Sequence, residues 1–166
     1  MDPTIITYLQ KQFTLERQNE QFYRALAAAA DVVNRPGASS FFEKSADDEK
    51  SHAKRIRDYI VDRNITPLFD SLEAIPEVDG NDYAGMFKLA LDREQITTAA
   101  LNEFWRVADD QIPDPQTMAL LISSQGDWPG YLQEQTDSER EITDMLLDIA
   151  RLGPDGLIVF DSGLLD

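Results

Sequence analysis

Prolines and glycines divide this chain into four long stretches in which apolar residues recur every three or four positions. That spacing places the apolar side chains along one face of an α-helix. Asp2-Pro3 and Asp114-Pro115 each supply a capping side chain followed by proline at the first helical position. We predict four long helices and a short fifth, within one domain of 166 residues: 3–34, 39–64, 81–109, 115–152 and 154–164.

The connections between the predicted helices indicate how the helices pack. Short links join the first helix to the second and the third to the fourth, so each pair is expected to be antiparallel. Residues 65–80 contain two prolines and an Asp79-Gly80 turn, which predict a long crossover instead of a helix. The predicted fold class is therefore an all-α four-helix bundle with one long crossover. Residues 124–130, SQGDWPG, predict an interruption or loop insertion in the fourth helix, with a break near 126–130.

Polar side chains interrupt the apolar face of each long helix. They are Glu16 on the first helix, Glu49 and His52 on the second, Glu94 on the third and Gln135 on the fourth. At a rise of about 1.5 Å per residue, Glu16, His52 and Glu94 lie at about the same depth in the bundle. Gln135 lies 21 residues after Asp114, which is too many for a continuous helix to reach that depth. The interruption in the fourth helix would take up the extra residues and place Gln135 in the same layer. The sequence thus predicts a polar layer inside the bundle.

Carboxylates buried together in such a layer need a counter-charge, because burying several ionised groups alone costs many kcal/mol. A pair of divalent cations would supply it. Carboxylates with one imidazole suit iron or manganese better than a structural zinc ion. The spacing of Glu49 and His52 places both on one helical face, and Glu-x-x-His joined by single glutamates is a di-iron pattern of bundles. Glu49 would bridge the ions, Glu16 would complete the site of His52, and Glu94 would anchor the second ion.

The charge balance and the absence of cysteine narrow the classes of function. Acidic residues outnumber basic ones 31 to 15, which gives a formal net charge of −16. That balance disfavours binding to nucleic acid and to anionic membranes, and it attracts cations. A chain without cysteine has no disulfides and no thiolate metal ligands. The sequence shows neither a signal peptide nor an apolar run long enough to span a membrane, so a cytoplasmic location is expected.

Five segments of the chain resemble the ferritin family, in particular the non-haem prokaryotic type. In chain order they are LQKQFTLERQNEQFY, FFEKSADDEKSHAKRIRDYI, LALDREQITTAALNEF, YLQEQTDSE and GLIVFDSGLLD. The resemblance covers nearly the whole chain. It implies a ferritin-like bundle in which the last segment forms the short C-terminal helix.

The resemblance also implies roles for individual residues. It implies a di-iron centre with two iron ions per subunit, ligated by Glu16, Glu49, His52, Glu94 and Gln135, in which Tyr23 donates a hydrogen bond or an electron. These ligands and Tyr23 would be the catalytic residues. Glu20, one turn before Tyr23, is a further candidate ligand. An accessory third iron site would use Glu134, Asp137 and Asp48, although an exposed acidic patch would look the same in sequence.

The activity that the resemblance implies is oxidation of ferrous iron by dioxygen or hydrogen peroxide, with storage of the ferric product inside a homo-oligomeric shell. The family shell has 24 subunits, and the interruption in the fourth helix leaves a smaller assembly open. Two departures bear on the chemistry. Ser138 stands where some relatives have a glutamate ligand of the second iron, and Lys50 and Ser51 fill the position of the haem-binding methionine. Haem is therefore not expected.

Two other functions stay open at this point. A non-catalytic structural subunit could adopt the same bundle and join a shell without oxidising iron, but the intact ligand set argues against it. A rubrerythrin-like di-metal peroxidase would share the bundle. Proteins of that kind normally carry a second Glu-x-x-His motif and a cysteine-bound iron, and this sequence has neither.

Overall fold

The computed structural model describes residues 1–124 and 128–165. In that part of the chain the structure has six α-helices, and the predicted all-α fold class is confirmed. No helix among these residues is both long and apolar enough to span a bilayer. The helices are α1 (Pro3–Val32), α2 (Pro36–Val61), α3 (Tyr83–Arg106), α4 (Pro115–Ile122), α5 (Tyr131–Ile149) and α6 (Pro154–Gly163), and one π-helical turn, Val107–Gln111, extends α3.

Capping residues and prolines fix where the helices begin. The Asp2 carboxylate accepts a hydrogen bond from the Thr4 amide at 2.7 Å, and Asp114 accepts one from the Thr117 amide at 3.0 Å. Each cap is followed by proline at the first helical position, where no amide donor is needed. Proline is accommodated at the first position of α2 in the same way, and α2 begins at Pro36, three residues before the predicted start.

The crossover between α2 and α3 is held against α1 by two glutamine side chains. The Gln10 amide donates to the carbonyl oxygen of Thr66 at 3.0 Å and accepts from the Leu68 amide at 2.8 Å. Gln18 makes the same pair of bonds with the backbone of Glu73, at 3.0 and 2.8 Å. Because a non-helical segment has no internal partners for its backbone groups, these side chains satisfy them.

The interior consists of two apolar clusters separated along the bundle axis. One cluster joins the second half of α1 to the first halves of α2 and α3, with Tyr23, Phe42 and Phe87 at its centre. The other cluster joins the first half of α1 to the second halves of α2 and α3 and includes Phe13 and Phe104. Between them lies a buried polar layer composed of Glu16, Asn19, Glu49, Glu94, Thr97 and Gln135.

The predicted interruption of the fourth helix is confirmed. Helix α4 ends at Ile122, and α5 begins only at Tyr131. Gly130 starts α5 with φ = +95°, a conformation that favours glycine, and a Cβ atom there would lie 3.0 Å from the Ile122 carbonyl group. Residues 125–127, which include part of the predicted break, lie outside the described residues.

The C-terminal helix α6 is attached to the start of α2 through one buried carboxylate. Asp161 is 4% exposed and accepts hydrogen bonds from the amides of Gly37 and Ala38 and from the Tyr83 hydroxyl, at 3.2, 2.9 and 3.0 Å. A negative charge is favourable at a helix N-terminus. A Cβ atom on Gly37 would lie 1.6 Å from the Asp161 carbonyl oxygen, so only glycine permits this approach.

We expect Asp161→Asn to lower the free energy of unfolding by about 2 kcal/mol, because a carboxamide has one acceptor oxygen and turns an N–H group toward these donors. Thermal denaturation at fixed protein concentration measures the change. The matched control is Asp155→Asn, an exposed position on the same helix. Equal melting temperatures for the two variants would contradict the role assigned to Asp161.

Candidate metal centre

The α1–α2 helix pair brings three predicted ligands together. One ligand atom each from Glu16, Glu49 and His52 lies within 4.8 Å of the other two. The side chains of Glu16 and Glu49 are buried, and that of His52 is 15% exposed. Glu16 faces α2 because it lies one turn beyond Phe13 on the buried side of α1, and Glu49 and His52 lie on the opposing side of α2.

Two carboxylate oxygens in this group lack a hydrogen bond. Glu16 Oε1 accepts from the Gln12 amide at 2.8 Å, but Glu16 Oε2 and Glu49 Oε2 have no hydrogen-bond partner among the described residues. Buried polar atoms without a partner are costly and uncommon. A bound cation would satisfy both oxygens, so the donor set fits a divalent metal ion whose ligands are oxygens and one imidazole nitrogen.

Burial changes the protonation of these groups. It raises the pKa of Glu16 well above its usual range, with a further contribution from the nearby Glu49 carboxylate. Burial also raises the pKa of Glu49, from 4.5 to about 8. For His52, burial lowers the pKa, but the hydrogen bond to Glu134 and the surrounding carboxylates outweigh it and leave the pKa raised. Without a cation, the group therefore retains protons near neutral pH.

Glu94 lies beside this group and is held by two other predicted site residues. The Tyr23 hydroxyl donates to one carboxylate oxygen of Glu94, and the Gln135 amide donates to the other. The Gln135 amide also contacts the Glu94 backbone carbonyl at 3.1 Å. Burial raises the pKa of Glu94 and of Tyr23, so Tyr23 is a proton donor here. The structure thus joins Glu94, Tyr23 and Gln135 through direct contacts.

The remaining predicted ligands are not all brought to the site. Glu134 Oε2 lies 3.0 Å from His52 Nε2. One cavity of about 60 Å³ is lined by Glu134, Asp48 and Ser138 together with the proposed ligands Glu49, His52 and Glu94. Asp137 instead pairs with Arg140 at 3.1 Å. Glu20 is 3.5 Å from Arg24. The ligand roles of Glu134, Asp48, Asp137 and Glu20 stay predictions, but Asp137 and Glu20 contact other partners.

Sequence reasoning missed several residues that contact the site residues or support them. Gln12 and Asn19 lie four residues before and three after Glu16, and helical spacing could have identified both. The Asn19 amide donates to Thr97 Oγ1 at 2.9 Å across to α3. The indole of Trp128 donates to Glu134. No sequence pattern indicates Trp128, because its position depends on the path of the interruption.

We expect the stability of the metal-free protein to fall as the pH rises from 5 to 8. The pKa of Glu49 is raised in the folded state to about 8, so the folded chain binds more protons there than the unfolded chain does. The stabilisation is complete below the unfolded pKa and is lost as the pH rises through the folded pKa. Melting of chelator-treated protein measures it. Glu49→Gln should flatten the dependence of the melting temperature on pH, whereas Glu77→Gln at an exposed position should leave it unchanged. Equal pH dependence in the two variants would contradict the raised pKa of Glu49.

Known proteins resemble the chain in fold and in sequence. It superimposes on an open pore ferritin from the archaeon Archaeoglobus fulgidus with a TM-score of 0.88, over 99% of this chain and 97% of that one. Their sequences are 21% identical, so this likeness shows the fold alone.

Three proteins named as ferritins are similar to the chain in sequence. The chain is 28% identical to a bacterial non-heme ferritin of Staphylococcus epidermidis, over 91% of this chain and 86% of the relative. A bacterial non-heme ferritin of Escherichia coli O6:H1 is 25% identical, over 99% and 95%. A chloroplastic ferritin of Malus baccata var. xiaojinensis is 28% identical, over 95% of this chain and 63% of the relative. The profile of the ferritin-like domain matches residues 6–152. The chain therefore belongs to the ferritin family.

Proposed function

We propose that this protein stores iron and is a ferroxidase, with ferrous iron as the substrate. The observation that carries the proposal is the buried group of Glu16, Glu49 and His52, in which two carboxylate oxygens have no hydrogen-bond partner among the described residues. Oxygen ligands and one imidazole suit iron. The relatives named as bacterial non-heme ferritins support the assignment.

Two ferrous ions bound side by side would supply two electrons in one turnover. The two electrons and two protons reduce dioxygen to hydrogen peroxide, or reduce hydrogen peroxide to two water molecules, and both ions become ferric. Glu16 and His52 would bind the first ion, Glu94 the second, and Glu49 would bridge them. The role of the apolar clusters on either side is to keep bulk water from the ions while they react.

The two ions are expected to bind with different affinity. The first site offers one oxygen of Glu16 and one of Glu49 that have no competing hydrogen bond within the described part of the chain. At Glu94, a second ion must compete with the Tyr23 hydroxyl and the Gln135 amide for the carboxylate oxygens. Ser138 adds a neutral hydroxyl to the cavity that Glu94 lines, where a carboxylate would attract a cation more strongly. The second ion should therefore bind more weakly.

Ferrous titration tests the proposed activity. We expect anaerobic titration to saturate near two ions per chain, and exposure to air to produce rapid ferric absorbance. Glu49→Gln should slow the oxidation by at least about 10-fold, because even residues that only support metal ligands change affinity by 10- to 100-fold.

The matched control is Glu77→Gln, on the exposed crossover, which should retain wild-type oxidation. Slow oxidation by the wild-type protein with both dioxygen and peroxide would contradict the ferroxidase proposal and favour a structural subunit. Rapid turnover of peroxide without accumulation of ferric product would favour a di-metal peroxidase.

We also propose that the ferric product is stored in the cytoplasm, inside a closed homo-oligomeric shell of 24 subunits. Exposed apolar residues at the C-terminal end of the chain support association with further copies. Ile158 and Val159 on α6 are 57% and 73% exposed, and Leu147 on α5 is 51% exposed. Burial of these side chains against another copy would remove apolar surface from water and so stabilise the association.

Size-exclusion chromatography with light scattering should give the mass of 24 copies of the 18.8 kDa chain. Val159→Lys should reduce the assembled fraction, because a charged side chain at an interface loses its hydration. Lys88→Glu, at another exposed helical position, is the control for a charge change. A mass of one or two chains for the wild-type protein would contradict the shell.

A further inference from the structure

The two ring nitrogens of His52 face carboxylates on opposite sides. Nδ1 lies 3.5 Å from Glu49 Oε2, within the ligand group, whereas Nε2 lies 3.0 Å from Glu134 Oε2 on α5. The same Glu134 oxygen accepts a hydrogen bond from the indole nitrogen of Trp128. Trp128, Glu134 and His52 therefore form a continuous hydrogen-bonded chain that ends at the proposed iron site.

Trp128 is itself firmly held. Its side chain is buried, the Arg55 guanidinium lies 4.4 Å from the ring centre, and the Tyr131 ring packs edge-on at 4.8 Å. The Tyr131 hydroxyl donates to the backbone carbonyl of His52 at 2.8 Å. The segment that restarts the helix after the interruption thus contacts both the backbone and, through Glu134, the imidazole of His52.

The hydrogen bonds define which nitrogen carries the proton of a neutral imidazole. An indole N–H only donates, so the Glu134 carboxylate accepts from Trp128 and is fixed by it. A carboxylate beside Nε2 stabilises the tautomer with a proton on Nε2, which leaves the lone pair on Nδ1. That lone pair faces the ligand group, as metal coordination requires.

The interruption of the fourth helix makes this contact possible. In a continuous helix, a residue six positions before Glu134 would lie about 9 Å away along the axis and on another face. The turn at Gly130, with its positive φ, instead folds residue 128 back against Glu134. The side-chain contact thus depends on a feature that a regular bundle helix would not provide.

We propose that Glu134 and Trp128 are positioning residues that hold His52 with its Nδ1 lone pair directed at the iron site. The proposal rests on the proposed function only in treating His52 as a ligand. It assigns Glu134 a role in orienting the imidazole instead of ligating a third ion, in agreement with the pairing of Asp137 with Arg140.

The single histidine of the chain allows a direct test. Protein labelled with ¹⁵N-histidine gives solid-state NMR signals from one imidazole, in assemblies of any size. In metal-free wild-type protein at alkaline pH we expect the proton on Nε2. In Glu134→Leu the facing carboxylates are those of the ligand group, so the proton should move to Nδ1. Glu134→Gln retains an acceptor oxygen and should keep the wild-type tautomer.

Zinc binding, measured by calorimetry with Zn²⁺ alone, supplies the second readout. Glu134→Leu should weaken binding by about 10- to 100-fold, as loss of a residue that supports a metal ligand does. Trp128→Phe should weaken it less, because the indole acts through Glu134. Asp144→Leu, at an exposed position of α5, is the matched control and should change neither readout.

An unchanged tautomer together with unchanged zinc affinity in Glu134→Leu would overturn the proposal. A second result would also overturn it: Glu134→Gln binds one zinc ion fewer per chain, and Glu134→Leu keeps the wild-type tautomer. That result would assign Glu134 to a third metal site. The tautomer is measured without metal. Failure of the wild-type protein to oxidise iron would therefore contradict the ferroxidase proposal but would not bear on the role of Glu134 and Trp128 in positioning His52.

Discussion

The structure depends on a layer of buried carboxylates that the protein alone does not neutralise. Glu16 and Glu49 face each other across α1 and α2, and one oxygen of each has no hydrogen-bond partner within the described part of the chain. In the folded chain this cost is met by proton uptake or by a cation. The two apolar clusters on either side supply the burial energy that keeps the helices together in spite of the layer.

Hydrogen bonds in the polar layer and beside it also connect the long helices to one another. Asn19 contacts Thr97 on α3, Gln135 on α5 contacts Glu94, and Tyr131 contacts the His52 backbone. Each bond crosses between helices, so the relative rotation of the helices is specified by directional contacts as well as by apolar packing. A helix that rotated by one residue would lose these bonds, whereas apolar packing alone tolerates exchange of similar side chains.

Helical periodicity was sufficient to predict the bundle, its crossover and the interruption, since all three follow from spacing and from proline and glycine positions. Counting residues from helix ends also placed Glu16 and His52 at one depth. Periodicity identifies a helical face only broadly, and so it did not show that Asp137 and Glu20 would pair with arginines. The contact between Trp128 and Glu134 could not be predicted, because it depends on a non-helical path and on packing against Arg55.

The glutamine contacts of the crossover give it a fixed alignment along α1. Gln10 and Gln18 each present an acceptor and a donor to the passing backbone, as the edge of a β-sheet would, and they stand about two helical turns apart. The chain between Leu68 and Glu73 is thereby pinned at both ends. An added residue there must bulge into solvent, and one added after Glu73 would displace Ile75 and Val78, which pack against the apolar cluster around Tyr23. Length variation should consequently be resisted along the whole crossover from Leu68 to Gly80, by backbone hydrogen bonds in its first part and by apolar packing in its second.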